Sequence, residues 1–163
     1  MRTLCWSPVP VGGQRRWLVA LALVAVGCSR FGLAQAAEPV ASQTVTVDEL
    51  AAALRPDSGQ KPLVIHVGFH GLFEEARIPG AVDVGPGDST EGLAALERKL
   101  RSIPSTSEVV LYCGCCPWDH CPNIRPALAL AQKLGFSHVR VLMIPKSFRN
   151  DWTKRGFPIE SGG

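Results

Sequence analysis

Apolar residues fall along this chain in short runs, separated by polar breaks rich in glycine and proline. Residues 63–67 (Leu-Val-Ile-His-Val) and 109–112 (Val-Val-Leu-Tyr) are the densest runs. Runs this short, bounded by turn residues, predict strands buried on both faces. Shorter β-forming stretches at 44–47, 81–84 and 138–142 predict three more. Between them the pattern changes to helical spacing. Asp48 and Glu49 open an Ala/Leu-rich helix to Leu54. Residues 73–76 predict a helical turn, and Arg77-Ile78-Pro79-Gly80 a bend. Ser89 or Thr90 caps a helix to Leu100, with Leu93, Leu96 and Leu100 at i, i+3 and i+7. A helix from Ile124 stops at Gly135, and a last one covers 147–154 before Gly156 and Pro158. Strands alternating with helices predict an α/β fold with a mostly parallel sheet covered on both sides. Sites in such sheets lie at the carboxyl ends of strands.

One such end carries unusual chemistry. The 109–112 run leads directly into Cys113, and Cys115, Cys116 and Cys121 follow before the next helix. Asn123 is the expected cap of that helix. A thiol here faces a helix N-terminus, where the dipole and unpaired N–H groups favour a thiolate and a bound anion. Clustered cysteines also suit a disulfide staple or a metal site, and spacing alone leaves these open.

The N-terminus changes the charge picture. Arg2, Arg15 and Arg16 precede an apolar run of about ten residues, too short to span a bilayer. Ala34-Gln35-Ala36 then fits a signal-peptidase site. The expected organisation is a signal peptide over 1–36, a linker over 37–43, one domain over 44–160 and a tail over 161–163. A weaker lipoprotein-like box surrounds Cys28. Cleavage after Ala36 predicts a periplasmic or secreted protein without a membrane span. It also removes four arginines and no acid, which turns the net charge from +3 to −1. The basic balance is therefore a targeting feature and no argument for nucleic acid. Cys5 and Cys28 leave as well, so the mature chain keeps only the four loop cysteines, in a compartment that permits disulfides.

Four ordered features then give the chain a likeness to the rhodanese-like domain family. Residues 63–68 sit where that family has an apolar strand ending Asp-x-Arg. Arg77-Ile78-Pro79-Gly80-Ala81 resembles its His-Ile-Pro-Gly-Ala turn. Residues 109–113 resemble the strand running into its active-site cysteine. Trp152 with Gly156-Phe157-Pro158 resembles its closing segment. The resemblance implies a three-layer sandwich of about five mostly parallel strands between helices. It implies a sulfurtransferase that carries sulfane sulfur as a persulfide on Cys113, without a cofactor. It implies partners: a small anionic donor such as thiosulfate, and a thiol reductant or sulfur-acceptor protein. Arg125, His66 and Arg77 stand at positions suited to binding that anion. The chain also departs from the family. The stretch from Cys113 to Arg125 is about twice the usual length, and His66 and Gly68 replace the Asp-x-Arg pair.

Three functions compete on these residues. In the first, Cys113 accepts the sulfur and Cys115, Cys116 or Cys121 resolves it. In the second, the same cysteines form a thiol–disulfide redox centre. In the third, Cys113, Cys115, Cys116 and Cys121, with His66 or His120, carry a soft ion such as copper or zinc on an inactive fold.

Overall fold

The computed structural model describes residues 43–162. The expected leader, its cleavage point after Ala36, Cys28 and most of the 37–43 linker lie outside the described residues.

Five strands form one sheet: β1 (Thr44–Thr46), β2 (Leu63–His66), β3 (Val82–Asp83), β4 (Val109–Tyr112) and β5 (Val139–Met143). Their spatial order is β1-β5-β4-β2-β3, and every pairing is parallel. Five helices connect or follow them: α1 (Val47–Ala53), α2 (His70–Glu75), α3 (Thr90–Arg101), α4 (Ile124–Lys133) and α5 (Phe148–Asp151). This is the expected alternation.

Alternation along the strands sorts their side chains into two cores. Ile65, Val109, Leu111 and Val141 pack with Leu96 and Leu100 of α3 and Ile124, Ala127 and Leu128 of α4. Val45, Val64, Val110, Tyr112 and Leu142 face the other way, against Val47 and Leu50 of α1, Phe148 of α5 and Trp152. All four residues of β4 are buried, because the central strand has a helical layer on each face. Of the leucines that mark α3, Leu96 and Leu100 are buried and Leu93 is half-buried.

Element ends differ from expectation where side chains compete for the backbone. β1 stops at Thr46, before Val47, because Thr46 begins a capping box. Its hydroxyl accepts from the Glu49 N–H at 3.2 Å, and the Glu49 carboxylate accepts the Thr46 N–H at 2.8 Å. α2 starts at His70, three residues before the expected turn. α5 is short: Ser147 caps it by accepting from the Asn150 N–H, and Asp151 accepts the N–H groups of Lys146 and Ser147. A 3-10 turn over Thr153–Arg155 then runs into Gly156, at φ 77°. A second 3-10 turn, Trp118–His120, shapes the cysteine loop and was not expected.

The two-sided core makes β4 the costliest place to remove volume. Leu111→Ala should lower unfolding free energy by about 2–5 kcal/mol. Chemical denaturation followed by tryptophan fluorescence will test this; a loss too small to resolve would contradict the packing described.

Candidate functional site

Cys113 follows the last residue of β4, so the sheet fixes its backbone. The ladder continues past the strand: the Val67 N–H donates to the Tyr112 carbonyl at 2.8 Å. Gly114 then turns at φ 84°, and its carbonyl accepts the Phe148 N–H at 3.0 Å. A Cβ at Gly114 would lie 2.8 Å from the Phe148 Cβ, so both its backbone and its surroundings require glycine.

The loop folds back on itself and gathers its thiols. Cys113 and Cys121 are buried, while Cys115 and Cys116 are half-buried. The Sγ atoms of Cys113 and Cys115 lie 3.1 Å apart, and those of Cys115 and Cys116 3.2 Å apart. The sulfurs of Cys113, Cys115 and Cys121 all fall within 4.8 Å of one another.

The sulfur against the start of α4 is that of Cys121. The Cys113 thiol, with the backbone of Asn123 and Ile124 and the Cys116 thiol, stabilises its anion. Against the cost of burial, these lower its pKa to about 5. Cys113 moves the other way. Its contact with Cys121 and its burial hold it as a thiol, well above the ordinary range. Burial pushes the Cys116 thiol up to about 12. Packed thiols cannot all ionise together, so the charge favours Cys121 while Cys113 and Cys116 hold their protons.

Asn123 was expected to cap α4 but makes no side-chain cap. It is buried, and its Nδ2 donates to the Cys113 Sγ at 3.3 Å. Its Oδ1 accepts the Asp88 N–H at 3.3 Å. Sequence reasoning missed this role. The polar residue at the expected cap position, ten chain positions after Cys113, carried no signal of it.

His66 supports Cys113 from the neighbouring strand. Its Nε2 lies 2.8 Å from the Cys113 carbonyl and its Nδ1 2.8 Å from Asp83 Oδ1. A carbonyl only accepts, so Nε2 carries the hydrogen. The ring packs on Tyr112 and Phe73. The other oxygen of Asp83 meets His70 Nδ1 at 2.7 Å. Burial alone would raise Asp83. His66, His70 and the Gly85 N–H outweigh burial and hold its carboxyl below the ordinary value. Asp83 and then Glu74 raise the pKa of His70. Sequence reasoning singled out His66 but not Asp83 or His70 as its partners.

The other expected residues lie apart. Arg77 pairs with Glu160 at 3.6 Å and stacks on Phe73. Arg125 is exposed, and its Nη2 donates to the Asp119 carbonyl at 3.3 Å. His120 is exposed and pairs with Asp119 at 2.9 Å. A metal held by the cluster would therefore see sulfur, since both His66 nitrogens are engaged.

A cavity of about 430 Å³ opens beside Cys113 and Cys115, with His66, Tyr112 and Phe148 in its wall. A larger one, about 590 Å³, lies between α1 and the segment around Trp152 and Phe157, away from every described cysteine. We assign the chemistry to the smaller cavity because it alone of the two has cysteines in its wall.

No family model matches the chain, and no curated protein does. Solved structures do. The solution structure of the rhodanese-like domain of the Alr3790 protein from Anabaena sp. is similar with a TM-score of 0.53 and 18% identity, over 73% of this chain and 79% of that one. A crystal structure of the Alr3790 protein gives 0.56 and 18%, over 72% and 92%. The BH2092 protein of Bacillus halodurans gives 0.56 and 21%, over 74% and 77%. The fold is rhodanese-like.

Two outcomes follow from this geometry. Ultraviolet thiolate absorbance should reveal one thiolate titrating near pH 5, and Cys121→Ser should remove that low transition. A parent protein with no thiolate below neutral pH would contradict it. Gly68 is the second test. A Cβ there would stand 2.8 Å from His66 Nε2 and 2.9 Å from the Cys113 Sγ. Gly68→Ala should cost about 1–3 kcal/mol of stability, read from denaturation midpoints. An unchanged midpoint would mean that the contact is loose.

Proposed function

We propose that this protein carries sulfane sulfur as a persulfide on Cys113. One observation carries the reading: a cysteine fixed at the end of the central strand lies in the wall of a cavity, with a stabilised thiolate beside it. Cys113 holds its proton at rest, and Cys121 holds the charge. As a donor enters the cavity, the proton passes to Cys121 and the Cys113 sulfur attacks the outer sulfur of the donor. The donor's S–S bond breaks, the remainder leaves as sulfite from thiosulfate or as a thiolate from an organic persulfide, and Cys113 keeps the transferred sulfur. Asn123 and His66 keep Cys113 in position during the exchange. Its neighbours then release the sulfur: a second thiolate attacks Cys113, hydrosulfide departs and a disulfide remains. A thiol reductant resets it. An exported setting, expected from the leader, supplies the oxidising conditions in which such a disulfide persists.

The gathered sulfurs support a second reading, in which the loop carries a soft metal ion. Three sulfurs within 4.8 Å, and no imidazole nitrogen to spare at His66, suit monovalent copper better than zinc.

Intact mass separates the two. Offered thiosulfate or an organic persulfide, the protein should gain one sulfur, and dithiothreitol should remove it. Cys113→Ser should abolish the gain, and Cys121→Ser, which removes the proton acceptor, should slow both the gain and the release of the sulfur as hydrosulfide. A Cys113→Ser protein that still gains sulfur would move the nucleophile elsewhere in the loop. A parent that gains none, yet retains copper under native conditions, would replace the carrier reading with the metal one.

A further inference from the structure

The cavity beside Cys113 is poorly made for a compact dianion. Its size, about 430 Å³, is that of a site for an organic molecule. Leu72, Tyr112, Phe148 and Ile159 supply an apolar wall, and Leu72 and Ile159 remain 38% and 41% exposed at it. Large apolar side chains left in water beside a nucleophile suit a ligand with a carbon skeleton.

Charge points the same way. The cations expected to bind an anion do not line this cavity: Arg77 is held by Glu160, and Arg125 reaches the Asp119 carbonyl. The arginine at the cavity is Arg149, and a carboxylate, Glu75, lines it too. Both are exposed, and neither forms an ion pair with another described residue. Thiosulfate would meet one cation and one repelling anion in an apolar cleft, which leaves much of its charge unpaired. A molecule with both a carboxylate and an ammonium group would satisfy both side chains. Arg149 would take the carboxylate through paired N–H donors, and Glu75 the ammonium.

We propose that the sulfur donor is a zwitterionic organic persulfide, of the kind an amino-acid thiol forms, and not thiosulfate. This rests on the carrier reading above. The reaction balances without an added oxidant: RS–SH and the Cys113 thiol become RSH and the Cys113 persulfide. The RS–S bond breaks, the Cys113–S bond forms, and the Cys113 proton ends on the departing thiol.

The test is single-turnover loading of the purified protein, followed by intact mass. Three donors are compared: cysteine persulfide, benzyl persulfide and thiosulfate. Each rate is divided by that of the same donor with free glutathione, which removes intrinsic reactivity. Cysteine persulfide should show the largest ratio. Arg149→Gln and Glu75→Gln should each reduce it about ten-fold and leave benzyl persulfide within about two-fold, since both residues are on the surface and outside the cysteine cluster. If thiosulfate has the largest ratio, or if both variants slow the two persulfides equally, the donor assignment is overturned while the carrier reading stands. If no donor loads Cys113, both fall together.

Discussion

Burial of β4 on both faces is the constraint on which the rest depends. A strand with helices on either side cannot twist or slide without exposing one core or the other. All four of its residues are buried, and it is hydrogen-bonded to β2 and β5. The first residue beyond it is Cys113, so the sheet's rigidity is delivered to that sulfur. The opposite parity of Tyr112 and Cys113 matters as well. Tyr112 faces the α1 and α5 layer and walls the cavity, while Cys113 faces the α3 and α4 layer and meets Asn123. One strand end thus serves both sides.

His66 and Gly68 form a single arrangement around that end. The imidazole bonds to the Cys113 carbonyl, and the space beside it admits no Cβ at position 68. A larger residue at 68 would push against both the ring and the sulfur. Changing only one of the two positions would therefore disturb the other. Asp83 extends the arrangement outward to His70, on the exposed α2 helix. A polar chain thus runs from the surface to the backbone of the candidate nucleophile.

Much of this was legible in the sequence, and the gaps have physical causes. The strands were visible because short apolar runs ended at turn residues, and the parallel arrangement followed from their alternation with helices. Cys113 stood out because it directly follows such a run. Ends of elements were less legible, since side-chain caps decide them: Thr46 and Glu49 exchange bonds that a strand reading of residues 44–47 overlooks. The partners of His66 were not visible, because Asp83 and His70 approach it only through the parallel pairing of β2 with β3 and the position of α2. Helix-end reasoning foresaw a stabilised thiolate against α4, but the sulfur there belongs to Cys121. The loop's 3-10 turn at Trp118–His120 brings Cys121 back to the helix start, and spacing alone did not reveal that turn.

Charge within the sulfur cluster explains why several cysteines are compatible with one reactive centre. Thiols this close cannot each hold a negative charge, because repulsion in a partly buried site is weakly screened. The charge settles where N–H groups and a helix start face it, at Cys121, and Cys113 and Cys116 keep their protons. Cys113 then combines a rigid mount at a strand end, a place in the cavity wall and Cys121 as a neighbouring proton acceptor, a combination that neither Cys115 nor Cys116 has. Cys115 touches the cavity, but no strand fixes it; Cys116 does not line the cavity and its thiolate is disfavoured by burial. Position in the sheet, more than the number of sulfurs, therefore sets apart one cysteine among four.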